Sequence, residues 1–264
     1  MNSNYKFVVI GAGNFGTRLS IALTEVGHRA LQIINRTEEK GKCLAEKLGA
    51  IFTSELDIHK DADIVFIATN DDSIPTIIPA ISSCNCLVVH VSGSTPISVF
   101  EPYLKNYGIF YPLQSFTADV EVNFKNIPLL IEASDPVNLA ILNQTANSLS
   151  EKVFVMDSDT RLKCHLAAVI AANFSNHFIA LGEAMLQEAN LPKDIIHPLL
   201  DEMFVKIRKY GAEKAQTGPA RRNDIEILEK HKEVLKNKPS LQNLYTFVSD
   251  SIINSYRNPN SKDG

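Results

Sequence analysis

The stretch Tyr5-Lys6-Phe7-Val8-Val9-Ile10-Gly11-Ala12-Gly13-Asn14-Phe15-Gly16 decides the fold. An apolar strand runs into three spaced glycines. A helical stretch, Thr17-Arg18-Leu19-Ser20-Ile21-Ala22-Leu23, follows at once. The glycine pattern alone is weak; between a strand and a helix it is the fingerprint of a dinucleotide-binding turn. Gly11 permits the tight turn. Gly13 lacks the Cβ that would meet a pyrophosphate. Gly16 lets the helix close on the strand. The helix N-terminus offers free N–H groups and partial positive charge to that pyrophosphate. Ala12, Asn14 and Phe15 complete the loop and count with the glycines as cofactor-binding positions. A glycine-rich turn without a ligand is the bland alternative.

Outward from this turn, a second apolar strand, Leu31-Gln32-Ile33-Ile34, ends in Asn35-Arg36-Thr37. An acidic residue about 20 positions after the fingerprint would bind the ribose 2′-hydroxyl of NAD. Here Arg36 stands in that region. A guanidinium pairs with a 2′-phosphate through charge-assisted hydrogen bonds, and Asn35 and Thr37 add neutral partners. The sequence therefore points to NADP(H) over NAD(H). Alternatively, Arg36 is solvated and Glu38 or Glu39 reaches the ribose; those acids also suit the opening turn of the next helix.

Strands and helices alternate through the first half, which implies a parallel sheet with helices on both faces. Further strands read at Asp63–Ala68, Cys86–Val91, Gly108–Tyr111, Pro128–Glu132 and Lys152–Met156. After Asp157 the pattern is helical: about Asp159–Ala189, Pro192–Glu213, Asn223–Lys236 and Ser240–Tyr256. The fold class is α/β, with a doubly wound Rossmann domain over residues 1–156 and an all-α domain over 157–264. The final residues from Asn258 are expected to fray.

Composition narrows the function classes. The 264 residues are 45% hydrophobic and 21% charged, as in ordinary globular proteins. A net charge of −4 argues against a nucleic-acid partner. Four cysteines do not make a disulfide framework. Cys84 and Cys86 are too close to bridge without strain in an extended segment, and no second pair completes a metal site. Free thiols suit a reducing cytoplasm. The chain enters its first strand too early for a signal peptide, and no apolar run approaches the roughly 18 residues of a membrane span.

In open α/β sheets ligands lie beyond the carboxyl ends of the strands. Thr69-Asn70-Asp71-Asp72, with Ala68 before it, would pass under the adenine-ribose or nicotinamide-ribose of the cofactor, or serve as a turn and helix cap. Ser92 and Gly93 would let a nicotinamide approach, with Ser94 beside the substrate. Tyr111 and Gln114 place a phenol and an amide near the same crevice, although a tyrosine there is also a common structural residue. On the long helix, a uniform step of about 100° per residue brings His165, Val169, Asn173 and Asn176 into one sector of roughly 80°. Such polar groups bind a substrate or satisfy one another. Thr217, Arg221 and Arg222 flank the turn Gly218-Pro219 and can hold an anionic group, or form a solvated connection.

With these residues assembled, the chain resembles a family of Rossmann-like candidate NADP oxidoreductases with a helical C-terminal domain of unknown function. The resemblance covers nearly the whole chain. It rests on Gly-Ala-Gly-Asn-Phe-Gly at 11–16, His-Val-Ser-Gly at 90–93, Pro-Leu-Gln-Ser-Phe at 112–116, the helix from His165 to Asn176, and Thr-Gly-Pro-Ala-Arg-Arg-Asn-Asp at 217–224. The N-terminal half is similar to pyrroline-5-carboxylate reductase and the deazaflavin-dependent NADP reductases. The layout is similar to the 6-phosphogluconate and β-hydroxyacid dehydrogenase superfamily, which implies pairing through the helical domain. Hydroxyacid dehydrogenases of that superfamily carry a lysine four residues before the helix asparagine. Here Val169 and Ala172 stand four before Asn173 and Asn176, and Tyr111 replaces a histidine common before Pro-Leu-Gln.

The resulting expectation is a cytoplasmic NADP(H)-dependent oxidoreductase, acting on a small carbonyl or imine held in a cleft between the two halves. It would be a homodimer with no metal, nucleic acid or membrane partner. His165 is the expected proton donor or substrate orienter, since histidine is the side chain suited to proton transfer near neutrality, with Asn173 and Asn176 as its partners. A non-enzymatic NADP(H) sensor or scaffold is the rival reading.

Overall fold

The computed structural model describes residues 4–117, 120 and 122–257. The tail from Asn258, expected to fray, lies outside these residues. An eight-stranded sheet is built from β1 (Lys6–Ile10), β2 (Arg29–Ile34), β3 (Ile51–Thr53), β4 (Ile64–Ile67), β5 (Leu87–His90), β6 (Tyr107–Pro112), β7 (Leu129–Ala133) and β8 (Val153–Val155). The strand order is β3-β2-β1-β4-β5-β6-β7-β8, which contains the doubly wound 3-2-1-4-5-6 arrangement.

Alternation along β1 shows how the sheet is covered. Phe7 and Val9 enter one apolar layer with Leu19 and Leu23 of α1 (Asn14–Glu25), Leu44 of α2 (Glu38–Leu48) and Leu142. Val8 and Ile10 enter the other with Ile74, Ile77 and Ile78 of α3 (Ile74–Ala80). Burial on both faces explains why the central strands are continuously apolar rather than alternating.

Two details of the sheet depart from the sequence reading. β3 has three residues, too few for a periodic signal. β6 and β7 are antiparallel, with Tyr111 opposite Leu130 and Ile109 opposite Glu132. A parallel partner requires a crossover connection, usually a helix. Residues 113–128 hold among their described positions only a short helical turn at Phe124–Asn126, so the chain returns antiparallel. The helix α4 (Pro136–Leu149), capped by Asp135, then makes the crossover to β8. The Cys84–Cys86 segment lies outside any strand, between α3 and β5, with the two free sulfurs 2.8 Å apart.

A helix of 31 residues, Ser158–Glu188, follows the sheet. It comprises α5 (Ser158–Ala168), a π-helical segment (Val169–Phe174) and α6 (Ser175–Glu188). Its mean hydropathy reaches 1.3 over 18 residues, so by length and composition it could cross a membrane. This corrects the expectation that no apolar run comes near that length: Arg161, Lys163 and His165 near its start obscure the apolar stretch that follows.

Contacts divide the chain into Met1–His177 and Phe178–Gly264, later than the sequence boundary at 157. The first part of the long helix belongs with the sheet because Arg161 and His165 bond to strand and loop residues there. The second unit holds α7 (His197–Tyr210), the short α8 (Ala212–Ala215) and α9 (Pro219–Arg222), then α10 (Ile225–Val234) and α11 (Pro239–Arg257). Gly211, at φ +83°, breaks the single helix expected over Pro192–Glu213. Asp224 caps α10, while Asn223 adopts the left-handed conformation that closes α9.

Candidate active site

The glycine turn sits at the carboxyl end of β1. Gly11 has φ +111°, and a Cβ there would lie 2.4 Å from the Ala68 carbonyl oxygen. A Cβ at Gly16 would lie 2.0 Å from the Gly11 carbonyl oxygen, so close helix–strand approach requires glycine. Gly13 differs: nothing in the protein lies within 4 Å of its missing side chain. The fold does not need that glycine for its own packing, and the space beside the N-terminus of α1 stays open for a ligand. A crevice of about 470 Å³ opens here, lined by Gly11, Gly13, Arg36, Thr37, Thr69 and Asn70 among others. Volume, open amides and a guanidinium on the rim fit a phosphorylated dinucleotide.

Asn35 also lines this crevice, but its side chain is occupied. Its Oδ1 accepts from the Ala12 N–H at 2.9 Å and its Nδ2 donates to the Thr37 carbonyl at 2.7 Å. It braces the glycine turn against the end of β2 rather than offering a free amide. Glu38, the competing acid, opens α2 and is bound by Lys42 at 2.7 Å, which holds its carboxyl below the usual range. Arg36 and Thr37 are exposed beside it. Asn14 donates to the Phe116 carbonyl at 3.3 Å, and the Phe15 and Phe116 rings are 4.9 Å apart. The Pro-Leu-Gln-Ser-Phe segment thus packs on the glycine loop. Gln114 accepts from its neighbour Ser115 at 3.0 Å and lines another cleft, with Asn123 and Asn126.

The loops after β4 and β5 are joined by a carboxylate. Asp71 Oδ2 accepts from the hydroxyls of Ser92 and Ser94, each at 2.7 Å. Ser92 Oγ also accepts from the amides of Ser94 and Thr95. Both hydroxyl protons are therefore committed within the protein. His90, buried beneath this loop, stacks on Phe100 and accepts from the Ser92 N–H through Nδ1. Burial pushes its pKa down to about 3.

Gly93 proves to face protein. A Cβ there would lie 2.7 Å from His165 Nδ1 and 2.8 Å from Tyr111 Cζ. Tyr111 Oη and His165 Nδ1 are 2.9 Å apart, with the rings edge to face. Burial, reinforced by Asp71, raises the Tyr111 pKa. Ser92, Gly93, Ser94, Tyr111 and His165 thus form one cluster with Asp71.

Helix α5 is anchored one turn earlier. Arg161, 1% exposed, pairs with Glu132 of β7 at 2.6 Å and donates to the Thr95 carbonyl. Ser158 donates to the same carboxylate at 2.7 Å. Sequence reasoning missed Glu132 and Arg161, which read as a strand residue and a solvated helix charge; it placed Asp71 in the segment under the cofactor ribose, whereas its carboxylate binds Ser92 and Ser94.

Asn173 and Asn176 are exposed, and their side chains form no hydrogen bond among the described residues. The π segment adds a residue to the turn, which rotates everything after it by about 100°. The sector drawn at a uniform step therefore does not hold past Val169, and Asn176 moves off the His165 azimuth. Thr217, Arg221 and Arg222 lie in the second unit, all exposed. The Arg221 guanidinium lies 4.1 Å from the centre of the Tyr256 ring.

Comparison with known proteins matches this architecture. Residues 127–252 match the family model Domain of unknown function (DUF2520), and residues 2–80 match Shikimate / quinate 5-dehydrogenase. A candidate NADP oxidoreductase from Bacteroides fragilis is 38% identical, with 95% of this chain and 98% of that chain covered at a TM-score of 0.88. The chain belongs to this family, in which a Rossmann domain precedes the helical domain of unknown function. A reductive aminase from Aspergillus terreus, solved with NADPH and ethyl-5-oxohexanoate, shares the fold at 15% identity. It covers 97% of this chain and 94% of that one, with a TM-score of 0.72. Among curated proteins, a glutamyl-tRNA reductase from Sulfurisphaera tokodaii is 41% identical over 68 residues, which are 25% of this chain and 16% of that protein.

Proposed function

We propose that this protein is an NADP(H)-dependent oxidoreductase acting on a small carbonyl or imine compound. The observation that carries the reading is the crevice at Gly13, where the protein leaves space it does not use and sets Arg36 on the rim. The NADP and NADPH named for its relatives support the same cofactor. Gly11, Gly13 and the first amides of α1 hold the pyrophosphate, and Arg36 with Thr37 holds the 2′-phosphate. When bound, the nicotinamide supplies the hydride. The protein contributes binding, orientation and hydrogen-bonding groups. His165, half-buried and oriented through Nδ1 by Tyr111, is the proton donor or substrate orienter. The reductive aminase's ligands support the carbonyl and imine class.

The exposed apolar residues Leu162, Leu166, Ile170 and Phe174 on the long helix support pairing of two chains. The free thiols suit a cytoplasmic protein.

The test is direct. Purified protein is titrated with NADPH, then NADPH absorbance is followed against a panel of ketoacids, imines and semialdehydes. Consumption with any panel member supports the oxidoreductase. Tight binding without consumption would instead support a sensor, and the absence of binding overturns both.

A further inference from the structure

We propose that Tyr111 is a positioning residue whose phenolic O–H donates to His165 Nδ1, keeping the neutral ring's proton on Nε2. The inference rests on the reading of His165 as the group that meets the substrate, and it selects the orienting role: a neutral ring offers its Nε2–H as a hydrogen bond, since giving that proton up would leave an imidazolate.

The contact is set by the scaffold. Tyr111 lies on β6 opposite Leu130, and two ladder positions away Ile109 faces Glu132. Glu132 holds Arg161, and His165 follows Arg161 by four residues on the same helix. Two strand residues span about 7 Å and four helical residues rise about 6 Å. A strand step and a helix turn thus run side by side. Anchoring Arg161 at one end places His165 against Tyr111 at the other.

The direction of the hydrogen bond follows from what each atom can do. One proton lies between Oη and Nδ1. A phenol is the stronger donor and an unprotonated imidazole nitrogen the stronger acceptor. The phenol is held protonated by burial, by Asp71 and by Cys164, with Arg161 acting in the opposite direction. If Nδ1 donated instead, the half-buried phenol proton would need another acceptor. Ser92 Oγ already accepts from the amides of Ser94 and Thr95, and among the described residues His165 is the hydrogen-bond partner of the Tyr111 hydroxyl. Gly93 completes the arrangement: a Cβ there would fall 2.7 Å from Nδ1, so bare backbone flanks the bond.

The experiment uses full-length protein labelled with ¹⁵N-histidine, in a buffer well above the usual range of histidine titration. Long-range ¹H–¹⁵N correlations identify the protonated nitrogen of each ring, and a His165→Gln sample assigns the His165 signals. Wild type is expected to show Nε2 protonated and Nδ1 carrying the shift of a hydrogen-bonded acceptor. Tyr111→Phe is expected to lose that acceptor shift and populate both tautomers. Gly93→Ala, which wedges the rings apart while leaving the hydroxyl, should give the same loss. A protonated Nδ1 in wild type overturns the proposal, as does an unchanged His165 pattern in folded Tyr111→Phe. Neither substrate nor cofactor is needed, so failure here is distinct from failure to consume NADPH. Once a substrate is found, Tyr111→Phe should lower kcat tenfold or more with little change in the KM for NADPH.

Discussion

Arg161 Nη1 lies 2.6 Å from Glu132 Oε2, and the two side chains are 1% and 16% exposed. This is the joint that fixes the long helix to the sheet, because Ser158 and the Thr95 carbonyl meet the same two groups. Removing one partner of a buried pair leaves an uncompensated charge, which typically costs 3–5 kcal/mol, roughly. Glu132→Gln should therefore destabilise the protein by about that amount in chemical denaturation. Replacing both residues together, Glu132→Leu with Arg161→Met, should cost less than Glu132→Gln alone. Equal stability of Glu132→Gln and wild type would show that the pair does not anchor the helix.

Arg36 should decide the choice of cofactor. A hydrogen bond to a charged group contributes about 1.5–3 kcal/mol, which is roughly ten- to a hundredfold in affinity. Arg36→Asp should weaken NADPH by at least that factor and leave NADH nearly unchanged, because only the former carries the 2′-phosphate. The measurement is a pair of fluorescence titrations. Parallel losses for the two cofactors would remove Arg36 from the phosphate site.

What the sequence revealed and what it hid have a common physical basis. The glycine turn is a local device: Gly11, Gly13 and Gly16 act on their own backbone and on a ligand beside them, so spacing alone announces them. The continuous apolar runs of β1 and β4 were equally plain, because strands buried on both faces carry no polar alternation. The site cluster is different. Tyr111 and His165 are 54 residues apart and Asp71 is 21 from Ser92. Nothing in a linear spacing shows a phenol meeting an imidazole across a sheet edge. Asn35 shows a second thing that spacing leaves out. Its amide stands where a cofactor ligand would, yet the Ala12 and Thr37 backbones use both of its ends. The π segment left no mark either, since a single added residue in Val169–Phe174 breaks no propensity rule while rotating all that follows.

His90 makes the fold sensitive to acid. Burial depresses its pKa from 6.5 to about 3, so the folded protein holds it neutral. The unfolded chain binds a proton below about pH 6.5 while the native state does not. Its stabilising contribution is therefore complete above that pH and is lost as pH falls toward 3. The slope approaches about 1.4 kcal/mol per pH unit. Denaturation midpoints measured from pH 7 to pH 4 should fall more steeply for wild type than for His90→Gln. Parallel curves would mean that His90 does not titrate between the two states.

The long helix carries the last prediction. Leu162, Leu166, Ile170 and Phe174 recur every four residues and are 47%, 55%, 53% and 52% exposed. Residues four apart are neighbours on an α-helix surface, and the wider turn of the π segment that holds Ile170 and Phe174 brings four residues nearer to one full turn, so these side chains form a continuous apolar ridge. A single chain that left such a ridge in water would forgo about 25 cal/mol for every Å² it could bury. A second copy offers an identical ridge, and two-fold pairing is the commonest way to cover one. Light scattering behind a sizing column should give about twice the chain mass of 29.2 kDa. Leu166→Glu with Phe174→Glu should shift the species to monomer and lower its denaturation midpoint, since a charge would have to enter the interface. The 18-residue apolar window in the same helix supplies the competing outcome. Wild-type protein that stays at 29.2 kDa in buffer but floats with phosphatidylcholine vesicles would assign the ridge to a bilayer rather than to a second chain.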